Sequence, residues 1–272
     1  MVIIYSYGWA VVLAFITMLC WGSWPNTQKL ASKEWPFQLF YWDYAMGVLL
    51  LSLLLAFTAG STGAGGRSFI SDLLQADASA LRSAFLGGVL FNIANLLVVA
   101  AIAIAGMAVA FPIGVGLSLA LGVIVNYIAT PLGNPMFIFT GVTFVAIAIV
   151  LDAIAYRKLP GKTESPAKGI VISLLAGIMM GFFYRFVAAS MVSDFVNPEA
   201  GRLTPYTASV VFSIGLLISN FLWNSIFMYK PLTGEKVTYS DYIRKGDSRP
   251  HLYRRTGRSD LEPGFHPQYH CR

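Results

Sequence analysis

The sequence predicts an all-α protein, a polytopic bundle of transmembrane helices, and three observations predict it. Hydrophobic residues make up 56% of the 272 and charged residues 12%, where a soluble domain has about 25% charged. Residues 230–272 hold 9 of the 19 Lys/Arg and 5 of the 13 Asp/Glu, so the first 229 carry 10 basic and 8 acidic side chains. Such a surface does not keep a globule of this size in solution, and a soluble enzyme is excluded. Seven runs are long and apolar enough to cross a hydrocarbon core about 30 Å thick, which takes roughly 20 helical residues. The second and seventh runs also repeat one another at an offset close to 169 residues.

The spans are read at about 5–25, 37–60, 83–105, 107–129, 135–155, 167–192 and 206–229. No Lys or Arg precedes the first, so it lacks the basic start of a signal peptide. It ends in Trp21, Trp24, Pro25 and Asn26, and the proline frees a backbone carbonyl and bends the helix. The second begins at Pro36 and carries Tyr41-Trp42-Asp43-Tyr44; the third holds Gly88, Asn92 and Asn95 on one side. The fourth has Gly114, Ser118, Gly122 and Asn126 at four-residue spacing, and the sixth has Ser173, Gly177, Gly181 and Arg185 at the same spacing. Small residues in a stripe let backbones approach closely in lipid, where no hydrophobic drive holds helices together. Connections at Gly106 and around Pro131–Pro135 are so short that the third, fourth and fifth spans form helical hairpins. The seventh sets Ser213, Asn220 and Asn224 on one face with Trp223 beside them. Every backbone group within lipid must be bonded internally, which leaves the helix as the structure for such runs.

Basic loops orient the bundle. Lys29 and Lys33 follow the first span, Arg157, Lys158, Lys162 and Lys168 the fifth, and Lys230 and Lys236 the seventh. The intervening loops balance Arg67 and Arg82 against Asp72 and Asp77, and set Arg202 against Asp194 and Glu199. This alternation places the amino terminus outside the cytoplasm. Pro36, Gly47, Leu49 and Leu50 match Pro205, Gly215, Leu216 and Leu217. Five spans then form one unit, and an odd number inverts the second unit relative to the first. The expected organisation is a first five-helix repeat in 1–158, the start of a second repeat in 159–252, and a tail in 253–272. A full inverted five-helix repeat has ten helices, of which about seven are present. The tail, YRRTGRSDLEPGFHPQYHCR, is basic and unlike everything before it. One set of codons compatible with it, read one base out of phase, gives an apolar run that echoes Leu86-Gly87-Gly88-Val89-Leu90-Phe91-Asn92, about 170 residues further on. The tail is therefore read as a frameshifted stretch of a ten-span chain, with a native basic cytoplasmic tail as the alternative; an inactive truncated product is one of the alternative functional readings.

No histidine lies in the apolar part, because His251, His266 and His270 are all in the tail. Cys20 and Cys271 define neither a disulfide framework nor a metal site, and no metal or cofactor is expected. The pI near 9.3 comes from loops and tail, so no nucleic-acid partner is expected. A charge inside a membrane costs about 2.5–3.5 kcal/mol at the centre, which singles out Asp43 and Arg185. An acid that binds and releases a proton as access alternates is the simplest coupling device, and Asp43 is assigned that role. The solute-binding residues are read as Trp21, Trp24, Asn26, Tyr41, Asn92, Asn95, Asn126, Tyr184, Arg185, Asn220 and Asn224. Amides supply donors and acceptors and aromatic rings supply flat apolar walls, which suits a neutral, planar or hydroxylated solute. At this point two other readings stand beside it: Trp21 and Trp24 as interfacial belt residues, and the glycine stripes as plain helix contacts.

Trp21-Gly22-Ser23-Trp24-Pro25, Tyr41-Trp42-Asp43-Tyr44 and Gly122 through Asn126-Tyr127 together resemble the ureide permease family of the drug/metabolite transporter superfamily. The resemblance covers about residues 15–155 and returns in the last two spans. It implies a ten-helix secondary active transporter of two inverted repeats in the cell (plasma) membrane, importing oxo derivatives of nitrogen heterocycles such as allantoin and uracil with protons. It also implies that Trp24, Asp43 and Asn126 occupy motif positions of that family. Plant members have a long central cytosolic loop with a Walker-A-like sequence, whereas here the loop is about 156–168. Its Gly161-Lys162-Thr163 lacks the glycine that a phosphate loop needs five positions earlier, where Tyr156 stands, so nucleotide binding is not expected. Sugar-uptake families of the superfamily open similarly, so a sugar is the alternative solute, and a non-transporting membrane scaffold the alternative class.

Overall fold

In the computed structural model the described residues are 1–31, 35–157, 167–232 and 234–244, and their regular structure is helical. The helices are α1 (Tyr7–Ala31), α2 (Phe37–Phe57), a short α3 (Phe69–Gln75), α4 (Ala78–Ala105), α5 (Met107–Ala129), α6 (Pro135–Arg157), α7 (Ala167–Ser190), α8 (Pro205–Tyr229) and a short α9 (Tyr239–Arg244). The seven long ones are long and apolar enough to cross a bilayer, and each falls on one of the seven runs read in the sequence. The central loop 158–166, with Gly161-Lys162-Thr163, and the tail 253–272 lie outside the described residues.

Four local features depart from the sequence reading. α1 does not stop at its tryptophans but continues past Pro25 to Ala31. α4 starts at Ala78, five residues earlier than read, because Arg82 rides on its first turns at an exposed position instead of ending it. α5 contains a π-helical turn at Pro112–Gly116; Pro112 has no amide hydrogen to give, so the regular i→i−4 ladder is interrupted there. The segments after α2 and α8, read as loops, each contain a short helix.

Hydrogen bonds sort the connections onto two faces. On the amino-terminal face the Met1 amino group donates to the Gly65 carbonyl and the Val2 amide to Ala59. The Asp77 amide there donates to the Gly201 carbonyl at 2.9 Å, which brings the α3–α4 corner to the α7–α8 loop. On the opposite face the Val237 amide donates to Met228 and Lys168 to the Leu232 carbonyl. The seven long helices therefore alternate in direction.

Glycine decides how closely they pack. A Cβ at Gly88 would run into the Phe212 carbonyl of α8, one at Gly215 into the Phe85 carbonyl of α4, and one at Gly87 would come within 2.7 Å of the Val187 side chain of α7. α4 is thus wedged between α7 and α8, and Phe91 makes ring contacts there with Phe183 at 5.0 Å and Phe212 at 5.3 Å. The two small-residue stripes meet one another. A Cβ at Gly177 would stand 2.7 Å from the Gly114 carbonyl oxygen, and one at Gly181 3.4 Å from that of Ser118. They form one parallel α5–α7 seam, the close backbone approach that holds helices together in lipid. By contrast α1 and α6 turn large apolar side chains outward, such as Trp9 and Phe137, as lipid-facing helices do.

Candidate functional site

α2, α4 and α8 meet in a buried amide cluster. Asn92 and Asn95 are one turn apart on α4, and Asn220 and Asn224 one turn apart on α8, so each pair shares a helix face. All four are buried, together with Tyr41 and Gln38 of α2. The Asn92 side-chain amide donates to Ser219 Oγ at 2.9 Å, that of Asn95 to Tyr41 Oη at 3.1 Å, and that of Asn224 to the Gln38 carbonyl at 2.8 Å. These bonds use only part of what the side chains offer. Among the described residues Asn92 Oδ1, Asn95 Oδ1, Asn224 Oδ1, both polar atoms of Asn220 and Trp223 Nε1 have no hydrogen-bond partner. A buried polar atom without a partner costs about 1–3 kcal/mol, and six occur here on two facing helices, α4 and α8. The unused atoms comprise both acceptors, the asparagine oxygens, and donors, Asn220 Nδ2 and Trp223 Nε1.

Aromatic rings close the cluster on the α1 side. Trp24 stacks on Tyr44 with centroids 5.9 Å apart, Tyr44 lies 5.2 Å from Tyr41, and Trp24 and Trp223 pack on the group formed by Phe37, Tyr41 and Leu96. Trp21 touches Phe91 edge-on at 6.0 Å while 38% of it remains exposed. Asp43 is half-buried on a different side of α2 from Tyr41, and its Oδ1 accepts a hydrogen bond from the Tyr242 hydroxyl of α9 at 2.7 Å.

The remaining sequence-read residues do not join this cluster. Asn26 is exposed near the end of α1, and Tyr184 is 48% exposed on α7. Asn126 donates to the Gly122 carbonyl of its own helix at 2.7 Å. Arg185 lines a separate pocket of about 440 Å³ on the amino-terminal face with Thr130, Ser193, Glu199 and Arg202. Beside this pocket Asp194 and Glu199 are held below the usual carboxylate range. Backbone amides of Asn197 and Val196 do this for Asp194, and those of Glu199 itself and Ser193 for Glu199.

Sequence reasoning missed one buried polar network. Asp72 has no exposed surface; it accepts from Arg67 Nε at 2.8 Å and from the Thr204 amide at 2.7 Å. Arg67 also donates to the carbonyls of Pro198, Glu199 and Arg202, and Gln75 donates to the Arg202 carbonyl and accepts from the Gly201 amide. The two charges had been read as a cancelling loop pair. Their five-residue separation within one short segment was the available signal.

The ureide permease family model matches residues 40–163, from within α2 through α6 into the central loop. Ureide permease 2 of Arabidopsis thaliana is 28% identical over 315 aligned positions, covering 92% of this chain and 79% of that protein. Ureide permease 1 of the same plant is 22% identical over 307 positions with the same coverage, and probable ureide permease A3 of Vigna unguiculata is 28% identical over 54% of this chain and 40% of its own length. No solved structure matches the chain. The chain is an integral, multi-pass membrane transporter that is similar to the ureide permeases, over residues 40–163 by the family model and over most of its length by individual relatives.

Proposed function

We propose that this chain is a permease of the ureide type within the drug/metabolite transporter superfamily, taking up a neutral ureide or nucleobase-like heterocycle with protons across the plasma membrane. The carrying observation is the set of buried polar atoms, Oδ1 of Asn92, Asn95 and Asn224, both of Asn220 and Trp223 Nε1, that have no hydrogen-bond partner among the described residues. A ureide or an oxo-heterocycle presents N–H and C=O groups side by side in a plane, and such an edge matches amide side chains in donor and acceptor number. Its flat face suits the wall of Trp24, Tyr44 and Tyr41. The likeness to proteins called ureide permeases supports the same solute class. Arg185, Asn126 and Tyr184, near the amino-terminal face, are assigned to the approach path, as are Trp21 and Asn26 on α1.

Asp43 is proposed as the coupling acid. It lies in the face opposite the amino terminus, and protonation removes the charge that draws the Tyr242 hydroxyl to it. The basic loops make that face cytoplasmic. The test is uptake of labelled allantoin, uracil and a hexose by cells expressing the chain, with and without an inward proton gradient. Heterocycle uptake that rises with external acidity is the expected result, and Asp43→Asn leaves a residual uptake indifferent to pH. Uptake of the hexose alone assigns the sugar reading, and heterocycle uptake unchanged by collapse of the gradient removes the proton role.

A further inference from the structure

The two short helices are one device used once on each face. α3 begins at Phe69 and α9 at Tyr239, and the long helices before them, α2 and α8, begin at Phe37 and Pro205. Both short helices open behind a hydroxyl residue bonded to the side chain three places on. Ser68 Oγ donates to Ser71 Oγ at 3.1 Å, and Thr238 Oγ1 to Asp241 Oδ2 at 2.7 Å; in the second the backbone amides of Thr238 and Asp241 complete a capping box, whereas Ser68 makes only the side-chain bond. Both then start with an aromatic ring that touches α2 and α8, buried in Phe69 and exposed along one side in Tyr239. Phe69 meets Phe57 of α2 edge-on at 5.1 Å and clusters with Val210 of α8. Tyr239 bonds to Ser225 of α8 and lies 5.6 Å from Trp42 of α2. Counted from the helix starts, Phe57 corresponds to Ser225 and Trp42 to Val210. The same two contacts thus recur with the long helices exchanged.

The fourth residue of each short helix reaches across to the start of the other unit's long helix. Asp72 accepts from the amide of Thr204, the N-cap of α8, at 2.7 Å. Tyr242 packs on Trp35, beside Pro36 at the N-cap of α2, with centroids 6.1 Å apart, and donates to Asp43. α3 sits on the amino-terminal face and α9 on the opposite one. One rotation that swaps α2 with α8 and turns the unit over accounts for the whole set.

We infer that α3 and α9 are a pair of crossed latches, each borne by one repeat and fastened to the other, that hold the two faces closed in turn. Opening the amino-terminal face means parting the α2 and α8 ends around Phe69 and breaking the Asp72 network. Opening the other face means withdrawing Tyr239 and Tyr242 from between Trp42 and Trp35. α2 and α8 are continuous helices from one latch to the other, so a rocking motion that loosens one end closes the other. The consequence for uptake rests on the transporter reading; the latch geometry does not.

The experiment needs no solute. In a chain with Cys20→Ser and Cys271→Ser, single cysteines replace Ala56 under the α3 latch or Leu39 under the α9 latch, both fully buried. Their labelling by a membrane-impermeant maleimide is followed on the full chain in lipid nanodiscs, where both faces are accessible. Arg67→Gln, which removes charge-assisted bonds from the α3 latch, raises labelling at position 56 about tenfold and lowers it at position 39; Tyr242→Phe does the reverse. Where Arg67→Gln fails to fold, Gln75→Ala replaces it. Labelling that rises at both positions together, or at neither, overturns the inference. Reciprocal labelling without any uptake keeps the latches and removes the transport reading, while uptake without reciprocity does the opposite.

Discussion

Asn220 has no exposed surface and, among the described residues, no partner for either polar atom of its side chain. Stability alone disfavours it, since an apolar group of similar size avoids a desolvation cost of about 1–3 kcal/mol. Asn220→Leu is therefore predicted to leave the thermal midpoint unchanged or raised, and to cut heterocycle uptake at least about tenfold, the worth of one good hydrogen bond to a solute. Asn224 differs, because its amide donates to the Gln38 carbonyl. Asn224→Leu removes this second donor and leaves the carbonyl only its intrahelical one, and is predicted to lower stability by about 0.5–1.5 kcal/mol as well. A thermal scan beside an uptake assay separates the two. If Asn220→Leu destabilises as much as Asn224→Leu, the cluster is structural.

At the scale of the element, the same residue type has opposite consequences in two helices. A Cβ at Gly177 meets the Gly114 backbone carbonyl at 2.7 Å, whereas nothing lies within 4 Å of one at Gly141 in α6. Gly177→Ala is predicted to cost about 1–3 kcal/mol by overpacking the α5–α7 seam, and Gly141→Ala to be neutral or to stabilise by up to about 1 kcal/mol through helix propensity; denaturation in detergent ranks them. The loop 193–202 adds a pH dependence. Asp194 and Glu199 have lowered pKa values because backbone amides bond their charged forms. Their hold on the loop is complete above the ordinary carboxylate range near about 4 and is lost as pH falls through their lower folded values. Pepsin is expected to cut this loop only in strong acid, and Asp194→Asn to extend cutting to milder acid; cutting that ignores this substitution removes the role. The seven long helices were legible because each sustains hydropathy over a whole bilayer. α3 and α9 were not, being too short for such a signal. The four asparagines stood out as amides in apolar runs, but Ser219, Gln38 and Tyr242 did not. Helical spacing tells which residues share a face, not which neighbour that face meets, and for the same reason Asn126, Tyr184 and Arg185 were grouped with residues they do not touch.

Sidedness belongs to the whole molecule. The residues near Met1, 58–77, 130–134 and 190–204 share one face, and Trp35, Gly106, Lys168, 230–232 and 234–244 the other. Basic residues gather in the second set, so it is predicted to be cytoplasmic. The latches make this a test of the repeat as well. An inverted repeat puts α3 and α9 on opposite sides of the membrane, whereas a repeat running in the same direction puts them on one side. Exposed positions flank each latch: Ser61 and Thr130 on the α3 face, Lys230 and Glu235 on the α9 face. Single cysteines there, in intact cells and in the background without Cys20 and Cys271, are predicted to react with an impermeant maleimide at positions 61 and 130, and at 230 and 235 only after the membrane is broken. All four reacting in intact cells would remove the inverted architecture. Reaction at 230 and 235 alone would keep it and turn the molecule over, placing Asp43 at the external mouth, where an inward proton gradient protonates it before the solute enters instead of after.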